Sequence, residues 1–133
     1  MIRKATIADK EAIIKLWRLN ENMLGKPQHA ALNGKIAAGT CHVAELNGAI
    51  VGFVLYNARK RDSGSTIYYI ATNEDARKQG IGAALLWSVP CPIRLKVPAN
   101  NKQAIHFFER YGMVMIASEQ DDTDRSLCVY KAA

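Results

Sequence analysis

The sequence contains a short glycine-rich turn whose residue types could bind an anion. Residues 73–87, NEDARKQGIGAALLW, place Gly80 and Gly82 one residue apart, behind Arg77 and Lys78, and lead into apolar helix formers. Where a strand gives way to a helix, the first backbone N–H groups point outward together, and the helix dipole adds positive charge. Glycine places no Cβ between the backbone and a ligand. The turn is therefore a candidate diphosphate site.

The same two glycines have a simpler interpretation, because glycine also permits a tight turn and close packing against a sheet. The pattern is not the dinucleotide-binding fingerprint, since no third glycine follows at the required place, and not a Walker loop, since no G-K-S/T follows. On this stretch alone both interpretations stay open.

Hydrophobic periodicity predicts the elements that come before this turn. A strand is expected at residues 2–5, a helix from Lys10 to about Leu24, and a weaker helix after Pro27 that ends near Gly39. The stretch CHVAELNGAIVGFVLY contains two β-prone runs separated by Asn-Gly, which is the signature of a two-residue hairpin turn.

The hairpin fixes an expected register. A two-residue loop pairs Leu46 with Ala49, and counting by twos then places His42 on the same face as Val51 and Phe53. An otherwise apolar face favours a core histidine over a catalytic one at position 42.

The second half of the chain repeats the alternation of strands and helices. TIYYIAT and PIRLKV are predicted strands, NNKQAIHFFERYG is a predicted helix that ends at Gly112, and MVMIAS and RSLCVY are predicted strands around the polar turn EQDDTD. The order of elements predicts an α/β fold with a single mixed, mostly antiparallel sheet and helices on both faces.

Length and composition narrow the function classes. The 133 residues, 49% of them apolar, fit one domain that spans residues 1–133. No apolar run approaches the roughly 20 residues of a membrane span and no secretory signal is evident, so a cytoplasmic protein without a membrane partner is expected. Three cysteines without C-x-x-C spacing predict neither a disulfide framework nor a metal site. The net charge of +6 does not by itself choose a partner.

Two motifs together resemble the GNAT superfamily of N-acyltransferases. R-K-Q-G-I-G, within IATNEDARKQGIGAALL, is similar to the R/Q-x-x-G-x-G/A motif of its acetyl-CoA-binding core. NKQAIHFFERYGM is similar to N-x-x-A-x-x-F-Y-x-x-x-G-F through Asn101, Ala104, Phe107 and Gly112, with Met113 at the last position. The opening IRKATIADKEAIIKLW also resembles the family, and the order of elements matches along nearly the whole chain.

The resemblance implies an acetyl-CoA cofactor and a set of contacts with it. In the family the pantetheine arm pairs with the central strand, here residues 70–72, and the pyrophosphate lies on the amides of the turn at residues 78–83. Asn101 matches a position that helps to hold the cofactor arm, and it is also a good helix N-cap. The implied cofactor-binding residues are Ile70, Ala71, Thr72, Arg77, Lys78, Gln79, Gly80, Ile81, Gly82, Ala83, Asn101, Phe107 and Phe108.

The implied reaction transfers an acetyl group from acetyl-CoA to a primary amine, and here the sequence departs from the family. The position that is usually an acid tyrosine is Phe108, which has no proton to give. The thiolate could leave unassisted, Tyr111 on the same helix face could serve instead, or the domain binds acyl-CoA without catalysing transfer.

The reaction also needs a general base that takes the proton of the amine, and the sequence does not single out one residue for this role. Tyr68 and Tyr69 should point to opposite faces of a strand, so one of them, taken as Tyr69, faces the acceptor. Glu45 is a further candidate because a carboxylate on a central hairpin could reach the cleft. Glu74 and His106 are expected to be ordinary exposed residues.

The acceptor is expected to be a small-molecule or peptide amine, chosen by the loops at residues 24–39, 57–65 and 118–125. The basic run at residues 59–61 and the acidic turn at residues 119–124 are interpreted as solvated. No nucleic-acid partner is expected, because no patch that combines aromatic and basic residues is recognisable in the sequence. A homodimer is possible.

Overall fold

The computed structural model describes residues 1–121 and 126–132, except for the side chains of Arg77 and Lys78. The helices and strands, in chain order, are β1 (Ile2–Lys4), α1 (Lys10–Leu19), α2 (Glu21–Leu24), α3 (His29–Ala38), β2 (Cys41–Leu46), β3 (Ala49–Ala58), β4 (Ser65–Thr72), α4 (Ile81–Leu86), β5 (Ile93–Pro98), α5 (Lys102–Arg110), β6 (Val114–Gln120) and β7 (Ser126–Ala132). Short 3₁₀ turns lie at Ile7–Asp9 and Asp75–Gln79.

One seven-stranded sheet runs through the molecule in the order β1-β2-β3-β4-β5-β7-β6. Neighbouring strands are antiparallel except for β4 and β5, which are parallel. This confirms the predicted mixed, mostly antiparallel sheet.

Helices cover both faces of this sheet, as predicted, and each face has its own apolar core. On one face, Ile13 and Trp17 of α1 and Leu32 of α3 pack against Phe53. On the other face, Leu85 of α4 and Phe108 of α5 pack against strand residues. The two layers therefore leave the central strands β3 and β4 buried between them.

The helix predicted over residues 10–24 is interrupted at Asn20. The Asn20 side chain donates a hydrogen bond from Nδ2 to the carbonyl of Leu16 at 2.9 Å, and its backbone leaves the helical region at φ −114° and ψ 21°. An asparagine side chain that bonds to the backbone competes with the helix. A separate short helix, α2, then begins at Glu21 and ends at Gly25, which has a φ of 76°. The prediction of one continuous helix was wrong at this point.

The Asn-Gly hairpin forms as predicted, but its register is broken further from the turn. Asn47 and Gly48 have φ values of 52° and 79°, and Leu46 pairs with Ala49. A bulge between Ala44 and Glu45 then shifts the pairing by one residue.

The bulge changes which residues share a face with His42. His42 pairs with Val54, whereas Phe53 pairs with Val43 and belongs to the core beneath α1. The prediction that His42 and Phe53 lie on one face was therefore wrong, because counting by twos assumes an unbroken ladder.

Arg59 is a structural residue and not part of a solvated loop. Its side chain is only 17% exposed and forms a two-bond ion pair with Asp62. The same guanidinium donates to the carbonyls of Ser65 and Pro92 and to the hydroxyl of Thr66. Arg59 thus ties the loop after β3 to the starts of β4 and β5, and the interpretation of residues 59–61 as uniformly solvated was wrong for its first residue.

Replacing Arg59 by methionine is expected to lower the free energy of unfolding by about 2 kcal/mol, because two backbone carbonyls lose a charged donor. Urea denaturation measures the change. Arg61→Met is the matched control, since Arg61 is exposed and a surface substitution should stay within about 0.5 kcal/mol. Equal stabilities for the two variants would contradict the role given to Arg59.

Candidate active site

The central feature of the site is a gap between β4 and β5. In the described chain these strands pair in parallel only from Ser65 and Ile93 to Ile67 and Leu95. β4 stays paired with β3 along its length, up to Thr72. Beyond Ile67, the edge of β4 that faces β5 therefore opens into a cleft, where its backbone groups can accept another extended chain.

Two clefts meet at this gap. The α2 cleft, of about 520 Å³, lies between α2 and the separated ends of β4 and β5. The α4–α5 cleft, of about 300 Å³, lies between the start of α4 and one face of α5. Both are lined by Asn20, Met23, Ile70, Ala71, Ala104 and Phe108. The two clefts therefore join over the middle of the sheet, so molecules bound on opposite sides can meet.

The glycine-rich turn lies at the α4–α5 cleft, where Gly80, Gly82 and Ala83 are lining residues. Gly80 has a φ of 76°, and its carbonyl accepts a hydrogen bond from the amide of Ala84 at 3.0 Å. The amides before Ala84 belong to the first turn of α4, where no helical carbonyl lies one turn back. The structure thus places three residues of the predicted amide cluster in the lining of a cleft.

Gly82 is also a packing position. A Cβ at this residue would lie 3.1 Å from two ring carbons of Phe107, which lines the same cleft. At Gly80, by contrast, a Cβ would meet nothing within 4 Å. The two interpretations of the glycines thus apply together. Gly82 permits the close approach of α4 and α5, and neither glycine places a side chain of its own in the cleft.

The other residues of the turn are less directly placed. The side chains of Arg77 and Lys78 lie outside the described part of the chain. Gln79 is exposed and donates weakly to the carbonyl of Asp75. Ile81 is half-buried and packs against the core. Among the turn residues, the structure therefore supports Gly80, Gly82 and Ala83 as cleft residues.

The α5 residues named from the sequence fall around the junction of the clefts. Asn101 caps α5, since its Oδ1 accepts from the amide of Ala104 at 3.2 Å, and it also lines the α2 cleft. Phe108 is 6% exposed and lines both clefts. Tyr111 lines the α4–α5 cleft with its ring centroid 5.0 Å from that of Phe107. A ring without a hydroxyl thus occupies the junction, and a tyrosine lies one helical turn away.

Both strand tyrosines point to the side of α1 and α3, and not to opposite faces. A bulge in β4 leaves Tyr68 as an additional residue between paired positions. Tyr69 packs against Trp17 of α1 with ring centroids 4.5 Å apart, and Lys35 of α3 lies over the ring of Tyr68. Both tyrosines line the α2 cleft. The expectation of opposite faces was wrong because strand alternation does not hold across a bulge.

Glu45 lies outside the two clefts, contrary to the suggestion that it could act as a base. Its Oε1 accepts from Arg3 at 2.7 Å, and Arg3 also holds Asp9 through two hydrogen bonds. The hydrogen bond from Arg3 is the main reason that the pKa of Asp9 falls to about 2. Glu45 therefore belongs to an ion-pair network that joins β1, β2 and the first turn.

His42 is a satisfied core histidine. The Ser88 hydroxyl donates to the carbonyl of Leu85 at 2.7 Å, so it accepts from Nδ1 of His42 at 2.9 Å, and Nε2 accepts from Tyr56 at 3.2 Å. Burial, with a smaller effect of Lys4, lowers the pKa of His42. The ring thus has both nitrogens paired inside the core, and it is not among the residues that line the two clefts. His106 and Glu74 are exposed, as expected, and His106 lies at the rim of the α4–α5 cleft.

One acidic residue at the clefts was not among the candidates selected from the sequence. Among the described residues that line the two clefts, Glu21 is the only acidic one. It is the first residue of α2 and is half-buried. The helix break at Asn20 places it there, so an asparagine inside a predicted helix was the signal that could have revealed it.

Two further features are not found among the described residues: a cluster of metal-ligating side chains and a helix that could span a membrane. Residues 1–121 and 126–132 contain no group of three or more His, Cys, Asp or Glu side chains arranged to hold a metal ion. In the same part of the chain, no helix has the length and apolarity needed to cross a membrane.

Known proteins share this architecture and part of this sequence. Residues 37–113 match a family model described as an acetyltransferase (GNAT) domain. The chain is 25% identical over 126 residues to the 5-NmdU N-acetyltransferase of Pseudomonas phage PaMx11, covering 86% of this chain and 87% of the relative.

Solved structures agree with this family match at the level of the fold. A GNAT-family acetyltransferase from Bacillus cereus ATCC 10987 has a TM-score of 0.82, 19% identity and coverage of 99% of this chain and 95% of its own. Arabidopsis thaliana Naa50, in complex with the bisubstrate analogue CoA-Ac-MVNAL, has a TM-score of 0.78, 21% identity and coverage of 100% and 98%.

Proposed function

Because this chain belongs to the GNAT acetyltransferase family, we propose that it transfers the acetyl group of acetyl-CoA to a primary amine held in the α2 cleft. The observation that carries the proposal is the junction of two clefts over Ile70, Ala71 and Phe108. A donor bound on the α4–α5 side and an acceptor bound on the α2 side would bring their reacting atoms together there, which is how enzymes reduce the entropic cost of a two-substrate reaction.

The α4–α5 cleft fits acetyl-CoA. Its glycines leave the first amides of α4 accessible, and a Cβ at Gly82 would fill part of the space against Phe107. These amides suit the diphosphate, and the open edge of β4 at residues 70–72 suits the amide-bearing arm, which can pair with it like an added strand. When bound, acetyl-CoA supplies a thioester carbonyl that a neutral amine can attack.

Glu21 is the residue that we assign to the acceptor amine. An alkyl amine is protonated at neutral pH, with a pKa of about 10, so it must lose a proton before it attacks. Glu21 lines the acceptor side, and a carboxylate there can hold the ammonium group and take its proton, directly or through one water. Tyr69 is a poorer candidate, because its ring is packed against Trp17.

The leaving thiolate receives no proton from Phe108. A thiol has a pKa of about 8.5, so its anion is a fair leaving group without assistance. Tyr111 in the α4–α5 cleft is the second possible source of a proton. Phe108 instead lines the junction with an apolar ring, which disfavours water at the meeting point of the clefts.

The proposal is tested by measuring thiol release from acetyl-CoA together with the mass of the acceptor. The compound 5-NmdU is the first acceptor to offer, since the phage relative is named for it. The peptide MVNAL, present in the analogue bound to Naa50, represents peptide acceptors. We expect thiol release and a stoichiometric gain of one acetyl group with at least one amine. A protein that binds acetyl-CoA and acetylates none of a broad amine panel would contradict the proposal.

A second function, acyl-CoA binding without transfer, is favoured by Phe108 alone. If the enzyme works without an acid at this position, Phe108→Tyr should change kcat by less than about tenfold, a modest share of the 10²–10⁴-fold typical of general acid catalysis. If the protein is a sensor, the wild type should show no turnover and Phe108→Tyr should gain it. Titration with acetyl-CoA on both proteins confirms that any difference concerns the chemical step.

A further inference from the structure

One part of the sheet surface next to the α2 cleft is strongly basic. On β5, Arg94 and Lys96 alternate with residues buried beneath α4 and α5, so both point to the opposite side. On β7, Lys131 follows the buried Tyr130 in the same way and pairs directly with Arg94. Like charges placed opposite each other on neighbouring strands are unfavourable without an anion between them.

Tyr68 and Lys35 extend this surface to the cleft. Tyr68 is 56% exposed and lines the α2 cleft, and the ammonium of Lys35 lies 5.4 Å from the centroid of its ring. We call Lys35, Tyr68, Arg94, Lys96 and Lys131 the basic surface.

Two described acids beside the basic surface are already paired. Glu119 forms an ion pair with Lys96. The hydrogen bond from Arg59 holds Asp62 and lowers its pKa, with a smaller contribution from Arg94. Lys35 donates one hydrogen bond to Asn57 and keeps further donors. None of the ion pairs between described residues involves Lys35, Arg94 or Lys131, so their positive charge can meet an external anion beside an open aromatic ring.

We propose that the acceptor amine is carried on a base of a single-stranded nucleic acid that lies across the basic surface. This inference rests on the proposed function, because it names the substrate of the same cleft. A neighbouring base stacks on the ring of Tyr68, and phosphates lie along Arg94, Lys131 and Lys35. The base that carries the amine enters the α2 cleft. Stacking on an aromatic ring combined with a track of cations is how proteins hold single strands.

The same features argue against the neighbouring possibilities. A base inside a duplex cannot enter a cleft that is enclosed by two strands and a helix, so the substrate must be single-stranded or unpaired. An acidic polypeptide would use the cations but not the exposed ring. The basic surface could not be recognised in the sequence, because its five residues come from α3, β4, β5 and β7.

Fluorescence anisotropy with a labelled oligothymidine of about 12 nucleotides tests the proposal. We expect binding that weakens steeply from about 50 to 200 mM salt, and the double variant Arg94→Gln/Lys131→Gln should reduce the slope of log K against log salt by roughly 1.4. The control Lys15→Gln/Lys102→Gln removes two charges from α1 and α5 and should retain the wild-type slope. Tyr68→Leu should weaken binding by roughly five- to a hundredfold.

Three outcomes would overturn the proposal. They are no binding at the lowest salt, equal slopes for the two double variants, and competition by polyaspartate at equal charge with no effect of Tyr68→Leu. The last result would assign the surface to an acidic polypeptide. Calorimetry with acetyl-CoA on the same samples distinguishes failure of this inference from failure of the proposed function. If acetyl-CoA binds and the oligonucleotide does not, only this inference fails; if acetyl-CoA does not bind, the proposed function fails whatever the oligonucleotide does.

Discussion

The Gly82→Val variant is expected to bind acetyl-CoA at least about 100-fold more weakly than the wild type, a loss of about 2.7 kcal/mol. A Cβ at this position would already lie 3.1 Å from the ring of Phe107. The two methyl groups of valine must therefore occupy the cleft or push α4 away from α5, and either change removes the fit between the first amides of α4 and a diphosphate. Isothermal titration calorimetry measures the dissociation constant directly.

The matched control for this variant is Gly34→Ala in α3. A Cβ at Gly34 would meet nothing within 4 Å, and its backbone is helical. The control should bind acetyl-CoA as the wild type does and gain up to about 1 kcal/mol in stability, because alanine favours a helix over glycine. A folded Gly82→Val protein with wild-type affinity would show that the cofactor lies elsewhere.

The parts of the fold that were predicted correctly are those specified by neighbouring residues. Asn47 and Gly48 accept positive φ angles, so the hairpin turn was recognisable from two letters. The order of strands and helices likewise followed from runs of apolar residues. The bulges in β2–β3 and at Tyr68 were missed, since a bulge depends on how two strands meet and leaves no signature in either strand.

The candidate site was less predictable than the fold, because more of it depends on contacts between residues that are distant in sequence. Gly80, Gly82 and Phe108 belong to the two recognised motifs, and all three line the clefts. Glu21 owes its place to a single helix break at Asn20, so it looked like an ordinary surface residue of a long helix. Glu45 had the right chemistry but is bound by Arg3, which comes from a strand 42 positions away in the chain. Side-chain pairing over such separations is a property of the packed fold.

Glu21→Gln is expected to lower kcat/KM for the acceptor by about 100-fold, at the low end of what a general base contributes. Glutamine keeps the shape of the side chain but can neither carry the negative charge that holds an ammonium group nor take its proton. Affinity for acetyl-CoA should stay unchanged, because Glu21 lines the α2 cleft and not the α4–α5 cleft. Steady-state kinetics at saturating acetyl-CoA and varied acceptor gives the value.

The pH dependence of this variant separates a chemical role from a structural one. As the pH rises toward about 10, a growing fraction of the amine is already neutral and needs no base. The ratio of wild-type to variant kcat/KM should therefore shrink with increasing pH if Glu21 manages the proton of the amine, whereas a distorted cleft would leave the ratio constant. Glu11→Gln on the exposed side of α1 serves as the control and should match the wild type at each pH. A Glu21→Gln enzyme with wild-type kcat/KM at neutral pH would remove Glu21 from the mechanism and leave the tyrosines of the α2 cleft as the remaining candidates.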